Sequence, residues 1–338
     1  MRNRFLSSLS VLSAVLAIVW LAPVSLAGQA APARAKTWTP PRTPDGQPDL
    51  QGMWTNATIT PFERPAALAG KPFLTEAEAF ALEQQAAERR QSADDRPPRP
   101  GDVGNYNDFW FDSGTKVVST RQTSLVVDPP DGKVPVTPAA EKRRDYNLTN
   151  VDSYEAMSPW DRCITRGPGR MFPAGYNNAY KIVQTPGYVV ILQEMIHEAR
   201  IIPVDGRPHV DKSVRLWTGD PRGRWEGNTL IVETTNFNDK GWIATNGASA
   251  RIRGVPHSDA LRLVERFTRV DADTISYQVT IEDPNVYTRP WTVAIPLVRD
   301  EGYQMFEYAC HEGNRAIGHI LSAARAAERA ATDAAKKK

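Results

Sequence analysis

Tyr176 to Arg224 reads YNNAYKIVQTPGYVVILQEMIHEARIIPVDGRPHVDKSVRLWTGDPRGR, and this stretch decides the fold. Tyr188-Val-Val-Ile-Leu192 is a short apolar run rich in β-branched residues, preceded by the turn pair Pro186-Gly187. A run of that length between turn signals predicts a buried strand rather than a helix. Ile201-Ile-Pro-Val204 and Asp205-Gly206 follow, and an Asp-Gly pair after a β-branched run predicts a hairpin. Between the two runs lie Gln193, Glu194, His197, Glu198 and Arg200. Titratable groups inside a strand face water, a polar cavity or a partner. One reading is a strand that simply leaves the core at this point; the other is a site.

The same rhythm continues to the end of the chain. Expected strands are Tyr180–Gln184, Tyr188–Met195, Glu198–Val204, Ser213–Thr218, Thr229–Asn236, Leu261–Val270, Thr274–Glu282, Trp291–Arg299 and Met305–Cys310. Turn chemistry at Glu226-Gly-Asn228, Asp271-Ala-Asp273 and Asp300-Glu-Gly302 separates several of them. Strands joined this closely predict a mainly β fold, an antiparallel up-and-down meander closing into a lipocalin-like barrel, since closure removes aggregation-prone edges. Ile317, Ile320, Leu321 and Ala324 recur at helical spacing and predict a C-terminal helix packed on the barrel wall. Residues 326–338, Ala-rich and ending in three Lys, read as a disordered basic tail.

Upstream, residues 28–110 read as an irregular, Pro-rich arm containing one helix, opened by the capping box Thr75-Glu-Ala-Glu78 and ended by Arg96-Pro-Pro-Arg-Pro100. Four aromatics in Tyr106–Phe111 are expected to pin the arm to the barrel domain, residues 111–325. Arg2 and Arg4, an apolar Leu9–Leu21 and the small residues of Ser25-Leu26-Ala27 make residues 1–27 an expected signal peptide. An uncleaved anchor is the alternative, with an apolar run near the lower limit for a span. The expected location is periplasmic or secreted, with no membrane association after cleavage. An exported chain with two cysteines most simply forms one disulfide, Cys163–Cys310. A metal pair of Cys310 with His311 is the alternative, poorly served by side chains on opposite strand faces.

Composition bounds the function. The 338 residues are 41% apolar and 24% charged, ordinary for a globular chain, and the net charge of +2 gives no footprint for nucleic acid. No phosphate-cradling glycine loop, GxSxG elbow, CxxC pair or zincin helix is present. No cofactor or metal is therefore assigned. Arg166-Gly-Pro-Gly169 opens no helix and reads as a plain turn.

Alternation groups Glu233, Glu265 and Glu307 each with apolar neighbours on its strand. Together with Glu194, His197, Arg200, Arg215 and Arg266 they make either an outer salt-bridge lattice or a charged lumen. His311-Glu312 ends the last expected strand, at a barrel mouth where sites are commonly built. The candidate catalytic residues are His197, His311, Glu194 and Glu312: an imidazole titrates near neutral pH and a carboxylate can orient it. Strict alternation places Glu194 and His197 on opposite faces, so a shared site requires a bend within Gln193–Glu198. His209, His257 and His319 read as surface or structural residues.

Several blocks occur together: Thr43-Pro-Asp-Gly-Gln-Pro-Asp-Leu-Gln-Gly-Met-Trp54, Trp160-Asp-Arg-Cys163, Gln193-Glu-Met-Ile-His197, Arg222-Gly-Arg-Trp-Glu-Gly227, Glu233-Thr-Thr-Asn-Phe237, Glu265-Arg-Phe-Thr-Arg269 and Tyr308-Ala-Cys-His-Glu-Gly-Asn314. As a set they resemble a large family of exported, uncharacterised bacterial proteins. The resemblance implies a periplasmic or secreted bacterial protein and carries no catalytic residue onto this chain. Three functions fit the sequence: a hydrolase or lyase using His/Glu acid–base chemistry, a non-catalytic small-molecule-binding module, or a structural envelope protein.

Overall fold

A computed structural model describes residues 38–93, 112, 114–168 and 171–336, without the side chains of Ser92, Ala93 and His197. The expected signal peptide, the Arg96–Pro100 stop, the Tyr106–Phe111 aromatic run and the last two lysines lie outside the described residues. The elements are β1 (Gly52–Thr55), α1 (Glu76–Ala93), β2 (Val126–Asp128), α2 (Pro138–Thr149), β3 (Ala179–Thr185), β4 (Tyr188–Gln193), β5 (Glu198–Pro203), β6 (Asp220–Glu226), β7 (Thr229–Thr235), β8 (Arg262–Arg269), β9 (Thr274–Glu282), β10 (Trp291–Arg299) and α3 (Ala316–Lys336).

The fold is mainly antiparallel β, as the strand rhythm predicts. Neighbouring strands run in the order β5-β4-β3-β1-β10-β9-β8-β7-β6, with β2 paired beside β10. Two meanders, β3 to β5 and β6 to β10, are thus joined through β1, and the sheet curls into a nearly closed barrel. The short β1 comes from the arm: Trp54 pairs with Tyr180 on one side and Arg299 on the other. The Pro186-Gly187 turn links β3 to β4, with Gly187 at φ +81°, a conformation glycine adopts without steric cost. The capping box holds as expected: the Thr75 amide donates to Glu78 Oε2 at 2.8 Å and the Glu78 amide to Thr75 Oγ1 at 3.3 Å.

Four expectations differ. Ser213–Thr218 is not a strand, and Asp205-Gly206 does not close a hairpin. Eight antiparallel steps separate β5 from β6 in the strand order, which leaves these two parallel. The chain leaving β5 must therefore travel the length of the barrel before β6 can begin. Residues 204–219 make that crossover, pinned at its far end by Asp220, whose Oδ2 accepts from the Val210 amide at 3.0 Å and contacts His209 Nδ1 at 3.0 Å. The strand at β6 was hidden by Pro221 and its charges; a proline is tolerated because β6 is an edge of the hydrogen-bonded path. Met305–Cys310 is likewise not a strand but an irregular strap on the barrel exterior. Finally, α3 runs on to Lys336, through the stretch expected as tail, and buries no residue. Alanine, arginine and glutamate favour helix there, but the apolar stripe is only half-covered rather than packed into the wall.

The lumen is filled. Inward positions carry Trp54, Tyr180, Phe267, Tyr277, Val279 and Ile295, none more than 1% exposed. Within this packing sits one ion pair, Arg200 of β5 with Glu265 of β8. Arg200 Nη1 donates to Glu265 Oε1 at 2.8 Å, Nη2 donates to Oε2, and the Tyr277 hydroxyl donates to Oε1 at 3.0 Å. Burial and the adjacent Glu265 raise the Tyr277 pKa, keeping that hydroxyl protonated as a donor. Glu233 points outward instead, with Arg262 Nε at 2.8 Å, and Arg262 also holds Glu282 at 2.9 Å. Glu226 accepts from Arg224 and Arg266 on the same outer surface. Lumen charge and outer lattice thus coexist on opposite faces of the sheet, β8 contributing Glu265 to the one and Arg262 and Arg266 to the other.

Removing one partner of a buried pair strands the other charge, which costs about 3–5 kcal/mol. Glu265→Leu should lower unfolding free energy by that order in urea titration. The combined change Arg200→Met, Thr234→Val, Glu265→Leu, Tyr277→Phe, which also removes the Thr234 hydroxyl bonded to Arg200, should recover most of the loss. A single replacement costing under about 1 kcal/mol would contradict the buried pairing.

Candidate functional site

The hairpin β4–β5 turns through Glu194 to His197 at the barrel end that carries the longest loops. The bend expected within Gln193–Glu198 is present: Met195–His197 form a single helical turn with Ile196 at φ +65°, ψ 21°. A β-branched residue in the left-handed region is strained by about 1–3 kcal/mol. Burial holds it there. Ile196 packs with Met195 and Ala174 in a small apolar cluster separate from the barrel core, covered by Trp160, Tyr176, Tyr308 and Cys310.

Glu194 is 1% exposed and anchors the strap that follows β10. Its Oε1 accepts from the Tyr303 hydroxyl at 2.7 Å and the Phe306 amide at 3.0 Å, while Oε2 is buried with no hydrogen-bond partner among the described residues. The strap starts beside β1, where the Asp300 amide donates to the Met53 carbonyl at 3.0 Å. It ends at the disulfide Cys163–Cys310, the pairing expected from the sequence, which closes 147 residues of chain. A disulfide is compatible with an oxidising compartment. Among the described residues no helix is long and apolar enough to cross a membrane.

Between the strap and the 158–164 turns opens a cleft of about 960 Å³. Its aromatic walls include Trp160 with Tyr176, ring centroids 6.3 Å apart, and Tyr303 with Phe306, 6.2 Å apart and nearly perpendicular. Its carboxylates are Asp112, Asp161, Glu307 and Glu312. Asp112 is held by Asn178, whose Nδ2 and backbone amide each donate to it at 2.9 Å. Burial raises the Asp161 pKa, an effect that nearby Arg253 partly offsets.

Of the four candidate residues, the structure brings Glu312 into the cleft and Glu194 behind its wall. His311 is exposed on the adjoining turn and is not part of the lining. The side chain of His197 lies outside the described residues. Sequence reasoning missed Asp161 and the aromatic walls, because the lining is assembled from separate loops. Of the candidates, only Glu312, in the block flanking Cys310, pointed here.

It also missed Arg166, read as part of a turn. Its side chain is buried, Nη1 has no partner among the described residues, Nη2 donates to the Phe172 carbonyl at 3.0 Å, and burial pushes its pKa down. Tyr180, Tyr176, Tyr308 and Asp112 are its nearest electrostatic neighbours, which places it behind the cleft wall. Burial lifts the Tyr180 phenol to about 12.

His257, expected as a surface residue, is 2% exposed, with its ring against Gly241 and no partner for Nε2 among the described residues. A second concavity of about 580 Å³, lined by Leu68, Leu74, Leu82 and Val117, lies against α1 and carries mostly apolar groups. Compared with family models, curated proteins and solved structures, the chain matches none.

Two expected outcomes follow from this geometry. In the chain-entropy account, a loop this long is worth about 5 kcal/mol, an upper figure. Reduction should therefore lower the melting temperature and speed amide exchange in 303–314 more than in β8 to β10. Equal exchange in both states would show that Glu194, not the disulfide, holds the strap. Burial lowers the His257 pKa from its ordinary 6.5. The unfolded chain then binds the proton more readily, so stability contributed by neutral His257 is present above that value and is lost as pH falls below it. Stability of the wild type relative to His257→Gln, followed by urea unfolding, should decline from about pH 7 to about pH 5. A flat difference would refute the assignment.

Proposed function

We propose that this chain is an exported small-molecule-binding barrel protein whose ligand occupies the cleft under the 303–310 strap rather than the lumen. The observation that carries this reading is the contrast between the two spaces. The lumen is packed with buried side chains, Trp54, Tyr180, Phe267 and Tyr277 each at most 1% exposed, whereas the cleft offers about 960 Å³ where aromatic and carboxylate groups converge from separate segments. Ligand sites combine apolar walls with a few placed polar groups in this way. Export is supported by the disulfide and by the charge and apolar pattern of residues 1–27, and the resemblance to exported bacterial proteins points the same way.

A catalytic reading, hydrolase or lyase, is favoured by one observation. Asp161, whose pKa burial raises, shares the cleft with the exposed Glu312. Carboxyls in unlike environments can divide the acid and base roles. Glu194 serves this site as a positioning residue, through Tyr303 and Phe306.

The test is an NMR screen of neutral, cationic and anionic fragments against the oxidised protein. Binders should perturb the Trp160 indole and the 303–314 amides. They should be lost in Ala309→Trp, which fills the cleft from an exposed lining position and should leave the melting temperature unchanged. Fragments that instead perturb lumen residues such as Tyr277, or the groove against α1, would overturn the assignment.

A further inference from the structure

We infer that the ligand of this cleft is an organic cation, an alkyl- or arylammonium group seated against the faces of Trp160, Tyr176, Tyr303 and Phe306 and neutralised by Asp161, Glu307 and Glu312. The inference rests on the cleft reading above and adds the charge class of the ligand.

Three observations carry it. First, the lining is of one sign. Among the described residues it contains four carboxylates and no lysine, arginine or histidine. Arg166 lies behind the wall and Arg253 near Asp161, and neither belongs to the lining.

Second, the carboxylates are left open. Among the described residues, the carboxyls of Asp161, Glu307 and Glu312 have no hydrogen bond or salt bridge, whereas Glu226, Glu233, Glu282 and Glu265 are each matched to an arginine. Asp112 is held by Asn178, but among the described residues the other three cleft acids are unpaired where the aromatics gather. Glu194 adds to the same field: it is 1% exposed, one oxygen is tied to the cleft wall through Tyr303 and Phe306, and the other has no partner among the described residues.

Third, the aromatics come as two angled pairs on separate segments, one from 160–176 and one on the strap. Phe306 is 68% exposed, so its ring is open to a ligand in the cleft. Rings inclined to one another present several electron-rich faces to one space, the arrangement that holds alkylammonium heads.

A bare metal ion does not suit this space. Among the described residues no three carboxyl, imidazole or thiol groups stand close enough to share one ion. The rings supply no metal ligands.

The test uses three probes of similar shape on the oxidised full chain: benzyltrimethylammonium, benzyl alcohol and benzoate, each titrated by NMR and calorimetry. The expected order is benzyltrimethylammonium well ahead of benzyl alcohol, with benzoate weakest. Binding of the cation should fall as salt is raised. Glu312→Gln and Trp160→Leu should each weaken it about three- to tenfold. Glu312 is exposed, so that variant keeps the test independent of folding. If benzyl alcohol or benzoate binds the cleft as tightly as the cation, the charge inference fails and the cleft reading stands. If no probe of any charge perturbs the cleft in wild type or distinguishes it from Ala309→Trp, both fail. Preference for benzoate would assign the dominant charge to Arg166 and overturn the inference.

Discussion

Nine strands in strict antiparallel succession cannot close on themselves with another antiparallel ladder. The first and last must run the same way, and a parallel pair needs a crossover rather than a hairpin. Most of the architecture on that side of the barrel answers this constraint. Side chains seal the β5–β6 seam in place of a hydrogen-bonded ladder: a Cβ on Gly223 would lie 2.7 Å from Val204 Cγ1 and 2.9 Å from Ile202 Cγ2. Glycine at that position lets the two strands approach. The crossover 204–219 then covers the neighbouring surface, with Asn236 donating to the carbonyls of Asp211 and Val214 at 2.9 and 3.1 Å.

Closure without a ladder places weight on the interior. Arg200 reaches from β5, on the seam, across to Glu265 on β8, and Thr234 of β7 accepts from the same guanidinium at 3.3 Å. The pair links the edge meander to the other side of the barrel. Its desolvation is offset by two-point geometry and a tyrosine donor, conditions under which a buried pair is tolerated. The lumen is thus occupied by its own side chains. The exterior loops at one end are then the remaining place for a site.

Strands were legible where alternation and turn residues agreed. Thr274–Glu282 and Trp291–Arg299 fall where the pattern puts them because one face of each strand is buried throughout. The pattern failed where local sequence and global closure conflict. Met305–Cys310 alternates like a strand, but its Phe306 amide is taken by a carboxylate side chain and its end is tied by a disulfide, so no strand pairs with it. β1 is four residues long, too short to register, yet Trp54 makes it the join between the meanders. Glu312 was legible as a strand-end residue beside Cys310. Asp161 was not, because nothing in Trp160-Asp-Arg-Cys163 says that the disulfide turns this segment toward the strap.

The strap is where fold and site meet, and it is held at three points of different chemistry. Its beginning is fixed by a backbone hydrogen bond to β1, its middle by Glu194, its end by Cys163. Glu194 occupies its position only because Ile196 accepts a left-handed backbone, and Ile196 does so because its side chain is buried in the cluster beneath Trp160 and Tyr308. The cleft floor therefore stabilises the bend, the bend aims the carboxylate, and the carboxylate holds the wall above the floor. Each step is local, so the cleft depends little on the packing inside the barrel. The barrel supplies a fixed end of β4 from which Glu194 projects, and the disulfide supplies the second fixed point. Because those two anchors sit on different segments, loosening either one would change the width of the cleft without unfolding the sheet.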